Sequence, residues 1–355
     1  MSFENLSDRE RAVLSHLIDH YVSSATPVGS RVLANQYYKD LSSASIRNIL
    51  QDLEEQGLVA QPHTSAGRVP TDTGYRLYVD TLLKAEPLTE SERERIRSSV
   101  SGAGKSIDAI LGQTTRILAE IAHQMGVTVA PKFDQGILKR LQLVRISSER
   151  ILVAIVVKSG LAQSVILEVE ARIKDDELTT LESILNEKLS GLKLGEIRRT
   201  ISARLSSVKG NARLLKLFID TESVVWNQES DSQAHVVGAE NLMSQPEFAD
   251  RENLLEFVRT VEERNKLIDA VNGVGGAPTS FGAPGAPGVV VTIGSENPTP
   301  EVKRCSVVSA EYKVGRVKGR VALIGPTRMR YSRLVSIVEY TAQSLTDKLR
   351  MTDND

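Results

Sequence analysis

The sequence predicts an α+β chain that opens with a winged helix-turn-helix and continues into strand-rich stretches separated by helices. Three observations carry this expectation. The first 84 residues hold three amphipathic helical stripes followed by a short hairpin pattern. Beyond Val127 the apolar period changes from 3.6 to two. Two strand-rich stretches then flank a helical region that ends in residues 273–288, where six glycines and three prolines mark a loop.

The first helix starts at Ser7-Asp8-Arg9-Glu10, which reads as a capping box. Leu14, Leu17, Ile18 and Tyr21 follow at i, i+3, i+4 and i+7, the stripe of a half-buried helix. Pro27 and Gly29 interrupt it, and Ser30 opens a short second helix to about Tyr37. After a polar turn at 39–42, Ser42 or Ser43 caps a third helix with the stripe Ile46, Ile49, Leu50 and Leu53, and Gly57 ends it. Residues 58–61 read as a strand, 62–67 as a polar loop and 68–70 as the returning strand. Thr71 caps a further helix that carries Tyr75, Leu77, Tyr78, Leu82 and Leu83. Three helices and then a hairpin is the order of a winged helix.

Residues 89–125 read as helix, broken near Gly102-Ala103-Gly104. Residues 137–146, 151–157 and 163–170 read as strands, 175–189 as a helix, and 196–225 as further helical stripes. A short strand at 235–237 and a helix at 250–271 precede the glycine-rich loop. Strands at 289–294, 305–313 and 317–324 and a closing amphipathic helix at 333–350 complete the chain. The two strand-rich stretches form either one α+β domain interrupted by a helical insertion or two consecutive domains.

The formal net charge is −1, so any nucleic-acid site is a local patch rather than a bulk polycation. The N-terminus is polar and charged from Glu4 to Arg11, unlike a signal peptide, and the longest apolar run, about 151–157, is far short of a membrane span. A cytoplasmic protein with no membrane association is expected. One cysteine, Cys305, allows neither an intrachain disulfide nor a multi-cysteine zinc site. Of the five histidines only His16 and His20 have metal-ligand spacing, with no third ligand, so a solvated or half-buried pair is the simpler expectation. Ser101-Gly102-Ala103-Gly104-Lys105-Ser106 lacks the first glycine of a phosphate-binding loop, because Ser99 stands there, and it follows a helix instead of a strand. Pro278 occupies the third glycine position of a dinucleotide fingerprint that would begin at Gly273. No catalytic constellation, cofactor or metal is expected.

The third helix carries the chemistry. At about 100° per residue, Ala44, Arg47, Asn48 and Gln51 lie opposite its apolar stripe. Arginine can pair bidentately with guanine, and asparagine or glutamine with adenine, in the major groove. Ser43 and Ser45 at the helix start can reach phosphates, while Asp52, Glu54 and Glu55 sit at the far end. In the wing, His63, Thr64, Ser65 and Arg68 surround Gly67 and suit phosphate or minor-groove contact. These ten residues from Ser43 to Arg68 are the candidate DNA contacts. Residues 1–84 hold 8 Lys/Arg against 10 Asp/Glu, so binding depends on placement and on dimerisation more than on bulk charge.

Ser45-Ile46-Arg47-Asn48, Leu53-Glu54-Glu55, the run from Gln61 to Asp72 and Gly74-Tyr75-Arg76 together resemble the heat-inducible transcription repressor family HrcA of bacteria. Residues 238–242, 293–297 and 322–329 are similar to later segments of the same family, although Arg330 stands where an acidic residue is expected. The resemblance implies three parts: a winged helix over 1–84, a GAF-like domain over 85–208 and 288–355, and an inserted dimerising domain over 209–287. It also implies a homodimer on double-stranded DNA at an inverted repeat near chaperone promoters, kept active by a GroEL-type chaperonin. The alternative is a metabolite-responsive regulator with a small-molecule site in the GAF-like domain.

Overall fold

The computed structural model describes residues 6–64, 66–101, 106–131, 135–158, 162–169, 174–206, 234–273, 288–315 and 317–350. Its N-terminal part is the expected winged helix. Helix α1 (Asp8–Ser24) begins on the capping box: the Glu10 amide donates to Ser7 Oγ at 3.3 Å, and the Glu10 carboxylate accepts from the Ser7 amide at 2.7 Å. It buries Val13, Leu14, Leu17 and Ile18. Helices α2 (Ser30–Tyr37) and α3 (Ser43–Glu55) follow. Strands β1 (Val59–Ala60) and β2 (Val69–Pro70) pair antiparallel. A bridge between Val28 and Arg68 adds a third short strand at the wing's base. Gly67 is required there, because a Cβ would lie 2.4 Å from the Val28 carbonyl carbon.

The helix capped by Thr71 is shorter than the sequence suggests. Helix α4 (Asp72–Leu77) passes into a π-helical turn, Tyr78–Leu82, that closes on the Leu83 amide and the Tyr78 carbonyl at 2.8 Å. Helices α5 (Glu90–Val100) and α6 (Ile107–Ala122) come next, and the break foreseen at 102–104 lies outside the described residues.

Strand β3 (Met125–Val129) was not anticipated, because all five of its residues are buried and no alternation betrays it. It belongs to an antiparallel five-stranded sheet of order β7-β3-β10-β9-β8, formed with β7 (Ala234–Val237), β8 (Val289–Ile293), β9 (Cys305–Val314) and β10 (Val317–Pro326). Both faces are covered. Val291, Val308, Tyr312, Val321 and Leu323 join one core with α6, the winged helix and α12 (Tyr331–Arg350). Val127, Val290, Val307 and Ile324 join another, which takes in Phe257 of α10 (Arg251–Glu262) and Leu267 and Val271 of α11 (Arg264–Asn272). Between β7 and α10 lies the short helix α9 (Ala239–Met243).

A separate body lies between β3 and β7 in sequence. Strands β4 (Leu138–Arg145), β5 (Arg150–Val157) and β6 (Ala162–Glu168) form a three-stranded antiparallel sheet. One face packs on α7 (Asp175–Leu189) and α8 (Leu194–Ser206) around a core of its own. This differs from the expected insertion at 209–287. Residues 234–273, the described part of that stretch, pair with β3 and cover the five-stranded sheet. The stretch with an independent core is 138–205. Helical periodicity reads the same on a helix that covers a sheet and on one in an insertion.

Candidate nucleic-acid interface

Helix α3 is positioned from below by Ile46, Leu50 and Leu53, which are at most 4% exposed. Its start is fixed by Ser42, whose Oγ accepts from the Ser45 amide at 3.0 Å. Ala44, Ser45, Arg47, Asn48 and Gln51 are all exposed on the opposite face. Ser43 is half-buried and its hydroxyl lies 3.2 Å from that of Ser30, which joins the starts of α2 and α3. Gln51 donates to Glu55 at 3.3 Å, one turn further from the helix start. The base-reading types, one arginine and two amides, therefore form a continuous polar surface over a rigid apolar seat.

The wing is a tight structure in its own right. The Gln61 amide donates to the Thr64 and Ala66 carbonyls at 2.9 and 3.0 Å, and the Ala66 amide donates to the His63 carbonyl at 2.8 Å. His63 and Thr64 stand exposed at its tip, whereas Ser65 lies outside the described residues. Arg68 differs from expectation. Its guanidinium pairs with Glu54 at 2.7 Å, its side chain is 18% exposed, and its backbone amide and carbonyl both pair with Val28 at 2.9 Å. The neighbouring carboxylate of α3 captures the charge that the sequence assigned to DNA.

Sequence reasoning passed over two other cations. Arg31 on α2 and Lys39 in the turn before α3 are exposed, and among the described residues neither they nor Arg47 has an acidic partner. Arg76, in contrast, is clasped by Glu296 and Asp80. Free and neutralised cations look alike in sequence, so only geometry separates them.

His16 and Cys305 are both held by packing. His16 Nδ1 lies 2.9 Å from the Tyr38 hydroxyl, and its ring stacks on Tyr37 at 4.5 Å. Cys305 is buried, and burial pushes its thiol up to about 12, which keeps it protonated and unreactive. Among the described residues no group of three or more His, Cys, Asp or Glu could hold a metal, and no helix is long and apolar enough to cross a membrane.

Residues 5–81 match the family model described as the winged helix-turn-helix transcription repressor, HrcA DNA-binding, and residues 108–335 match the HrcA protein C terminal domain. The chain belongs to the HrcA family. It is 35% identical to the heat-inducible transcription repressor HrcA of Chlorobium phaeobacteroides, covering 98% of this chain and 100% of that one. It is likewise 35% identical to the protein of that name from Geobacter sulfurreducens, over 96% and 97% of the two chains. A crystal structure of a hypothetical protein shares the fold at a TM-score of 0.60 and 24% identity, over 98% of this chain and 100% of that chain. HrcA proteins are winged-helix transcription repressors, not enzymes. The exposed face of α3 is thus the candidate recognition surface of a DNA-binding repressor.

Proposed function

We propose that this chain represses chaperone genes in the cytoplasm as a homodimer on an inverted-repeat operator, and that a GroEL-type chaperonin maintains the active pool. The observation that carries the DNA-binding part is the exposed Arg47, Asn48 and Gln51 surface of α3, seated on Ile46, Leu50 and Leu53. The heat-linked part rests on the relatives, which are named heat-inducible transcription repressors. Ser43, Ala44 and Ser45 meet the groove edge in this proposal, His63 and Thr64 reach along the backbone from the wing, and Ser65 is a further candidate contact. Arg68 braces the wing.

The five-stranded sheet with its helices is the GAF-like unit in this proposal, and the body over 138–205 is the dimerising insertion. Its open sheet face supports that assignment. Val144, Leu152 and Ile166 form one row across β4, β5 and β6, and Val144 and Ile166 are 50% and 52% exposed. The outer edge of β4 is covered by α7, whose Asn186 and Glu182 side chains accept from the Leu141 and Leu143 amides at 2.8 and 3.0 Å. A protected β4 edge beside an exposed apolar face suits association with a second copy through that face.

The test is equilibrium binding of the purified chain to an inverted repeat, to a single half-site and to scrambled DNA. A two-fold dimer prefers the repeat with half-sites spaced by about 10–10.5 base pairs or a multiple. Equal affinity for the repeat and the isolated half-site, with one protomer bound, overturns the proposal.

A further inference from the structure

We infer that Arg76 is a positioning residue that fixes the orientation of the recognition helix relative to the sheet domain, and so sets which half-site spacing the dimer accepts. The inference rests on the dimeric operator reading above.

Arg76 lies on α4, outside the DNA-facing surface. Its Nε donates to Glu296 Oε1 at 2.8 Å, and its Nη2 donates to Glu296 Oε2 at 2.5 Å and to the Val291 carbonyl at 2.6 Å. Nη1 donates to Asp80 at 3.0 Å. A guanidinium held bidentately by one carboxylate and anchored on a backbone carbonyl is fixed in direction as well as in place. Burial opposes the charge, but the hydrogen bonds to Glu296 and Asp80 overcome it and hold the guanidinium above its ordinary value.

One turn earlier, the Asp72 carboxylate accepts from the Ser295 amide at 2.9 Å and from the Ser295 hydroxyl at 3.0 Å. Gly294 permits this approach. Its φ is +53°, and a Cβ there would lie 2.1 Å from the Asp72 carboxylate. The segment after β8 and the start of α4 are therefore joined by two independent polar contacts across more than 200 residues of sequence.

Helix α4 is in turn rigidly tied to α3. Thr71 Oγ1 donates to the Gly57 carbonyl at 2.7 Å, and the Thr71 amide donates to the Leu58 carbonyl at 3.1 Å. Gly74 packs so closely that a Cβ would meet the Leu58 carbonyl oxygen at 2.1 Å. Orientation passes from Glu296 through Arg76 and α4 to Gly57, just beyond the end of α3. A second tether acts on α1: Arg328 donates to the Val22 carbonyl at 2.9 Å while pairing with Glu247 at 2.7 Å. Immediately after Arg76, the π-helical turn at Tyr78–Leu82 is an irregular link between α4 and the chain that follows.

The test uses the full chain and two substitutions, Arg76→Ala and Glu296→Gln. Binding is measured to the native-spaced repeat, to the same repeat with half a helical turn inserted, and to one half-site. Both variants are expected to keep wild-type dimer mass and half-site affinity. Affinity for the native-spaced repeat is expected to fall by about 10- to 100-fold toward the half-site value, as the second contact loses its intramolecular advantage. Discrimination against the inserted spacer is expected to collapse, an outcome that simple destabilisation does not produce. Retained discrimination, or a parallel loss of half-site binding, overturns the inference.

An independent measurement needs no DNA. Spin labels on Gln36→Cys and Lys303→Cys, in a double-labelled protomer diluted into unlabelled chain, report the distance from winged helix to sheet domain. The wild type is expected to give one narrow distribution and Arg76→Ala a broad one. Identical distributions overturn the latch even if the operator reading stands. A narrow-to-broad change on Arg76→Ala, together with a wild type that shows no preference for the inverted repeat, supports the latch and rejects the operator reading.

Discussion

The Arg68 guanidinium lies 2.7 Å from the Glu54 carboxylate, so the foot of the wing is tied to the last turn of the recognition helix by one ion pair. Both side chains are at most one-third exposed. The pair spends the charge of Arg68 inside the protein, and this changes what its removal does. A phosphate-contacting arginine lowers the slope of log affinity against log salt by about one when removed. Arg68→Ala is expected to leave that slope unchanged and to lower stability by about 0–1 kcal/mol, the usual scale of a partly exposed ion pair. Binding titrations across a salt series measure the first, and denaturant melts the second. A slope lowered by one unit would return Arg68 to the DNA.

Arg47 is the opposite case. It is exposed on α3 without an acidic partner among the described residues. Arg47→Ala is expected to cost roughly 1–3 kcal/mol of operator binding and to relax preference at one base pair per half-site. Selection of bound sequences from a randomised operator library reads both effects. Wild-type affinity for operator and scrambled DNA alike would remove this face of α3 from recognition.

The winged helix was legible because its signals are local. The Ser7–Glu10 box, the Ile46, Leu50 and Leu53 stripe, and Gly57 at φ +72° each lie within a few residues of what they determine. The partners of the strands were not legible. Val236 lies opposite Val127 only because β7 returns to β3 from far along the chain, and a four-residue strand carries no mark of its neighbour. The same limit explains Arg76 and Glu296. Each belongs to a short segment noted for its family likeness, but nothing local says that the two meet. It also explains Arg68, whose charge is visible in sequence and whose neutralising carboxylate is not.

The open face of the three-stranded sheet gives a direct test of assembly. Ile166 is 52% exposed, so Ile166→Asp is expected to change protomer stability by no more than about 0.5 kcal/mol. In a dimer that buries this face the same carboxylate would be desolvated without a partner. Sedimentation is expected to show a folded monomer, with circular dichroism as in the wild type. A dimer of unchanged affinity would place the interface elsewhere.

An unassembled protomer exposes Val144, Ile146 and Ile166, apolar surface of the kind that aggregates and that chaperonins bind. Refolding from denaturant, with and without chaperonin and ATP, is expected to yield more operator-binding protein when chaperonin is present. Equal recovery at a concentration where the protein otherwise aggregates would remove chaperonin from the mechanism.

The proposal that this chain is a heat-responsive, two-fold DNA reader is tested most directly by sequencing the DNA that it protects in living cells before and after a temperature upshift. The protected sites are expected to share an inverted repeat, to lie upstream of chaperone genes and to empty on heating. Protected sites without two-fold symmetry, or an occupancy that heat leaves unchanged, would contradict it.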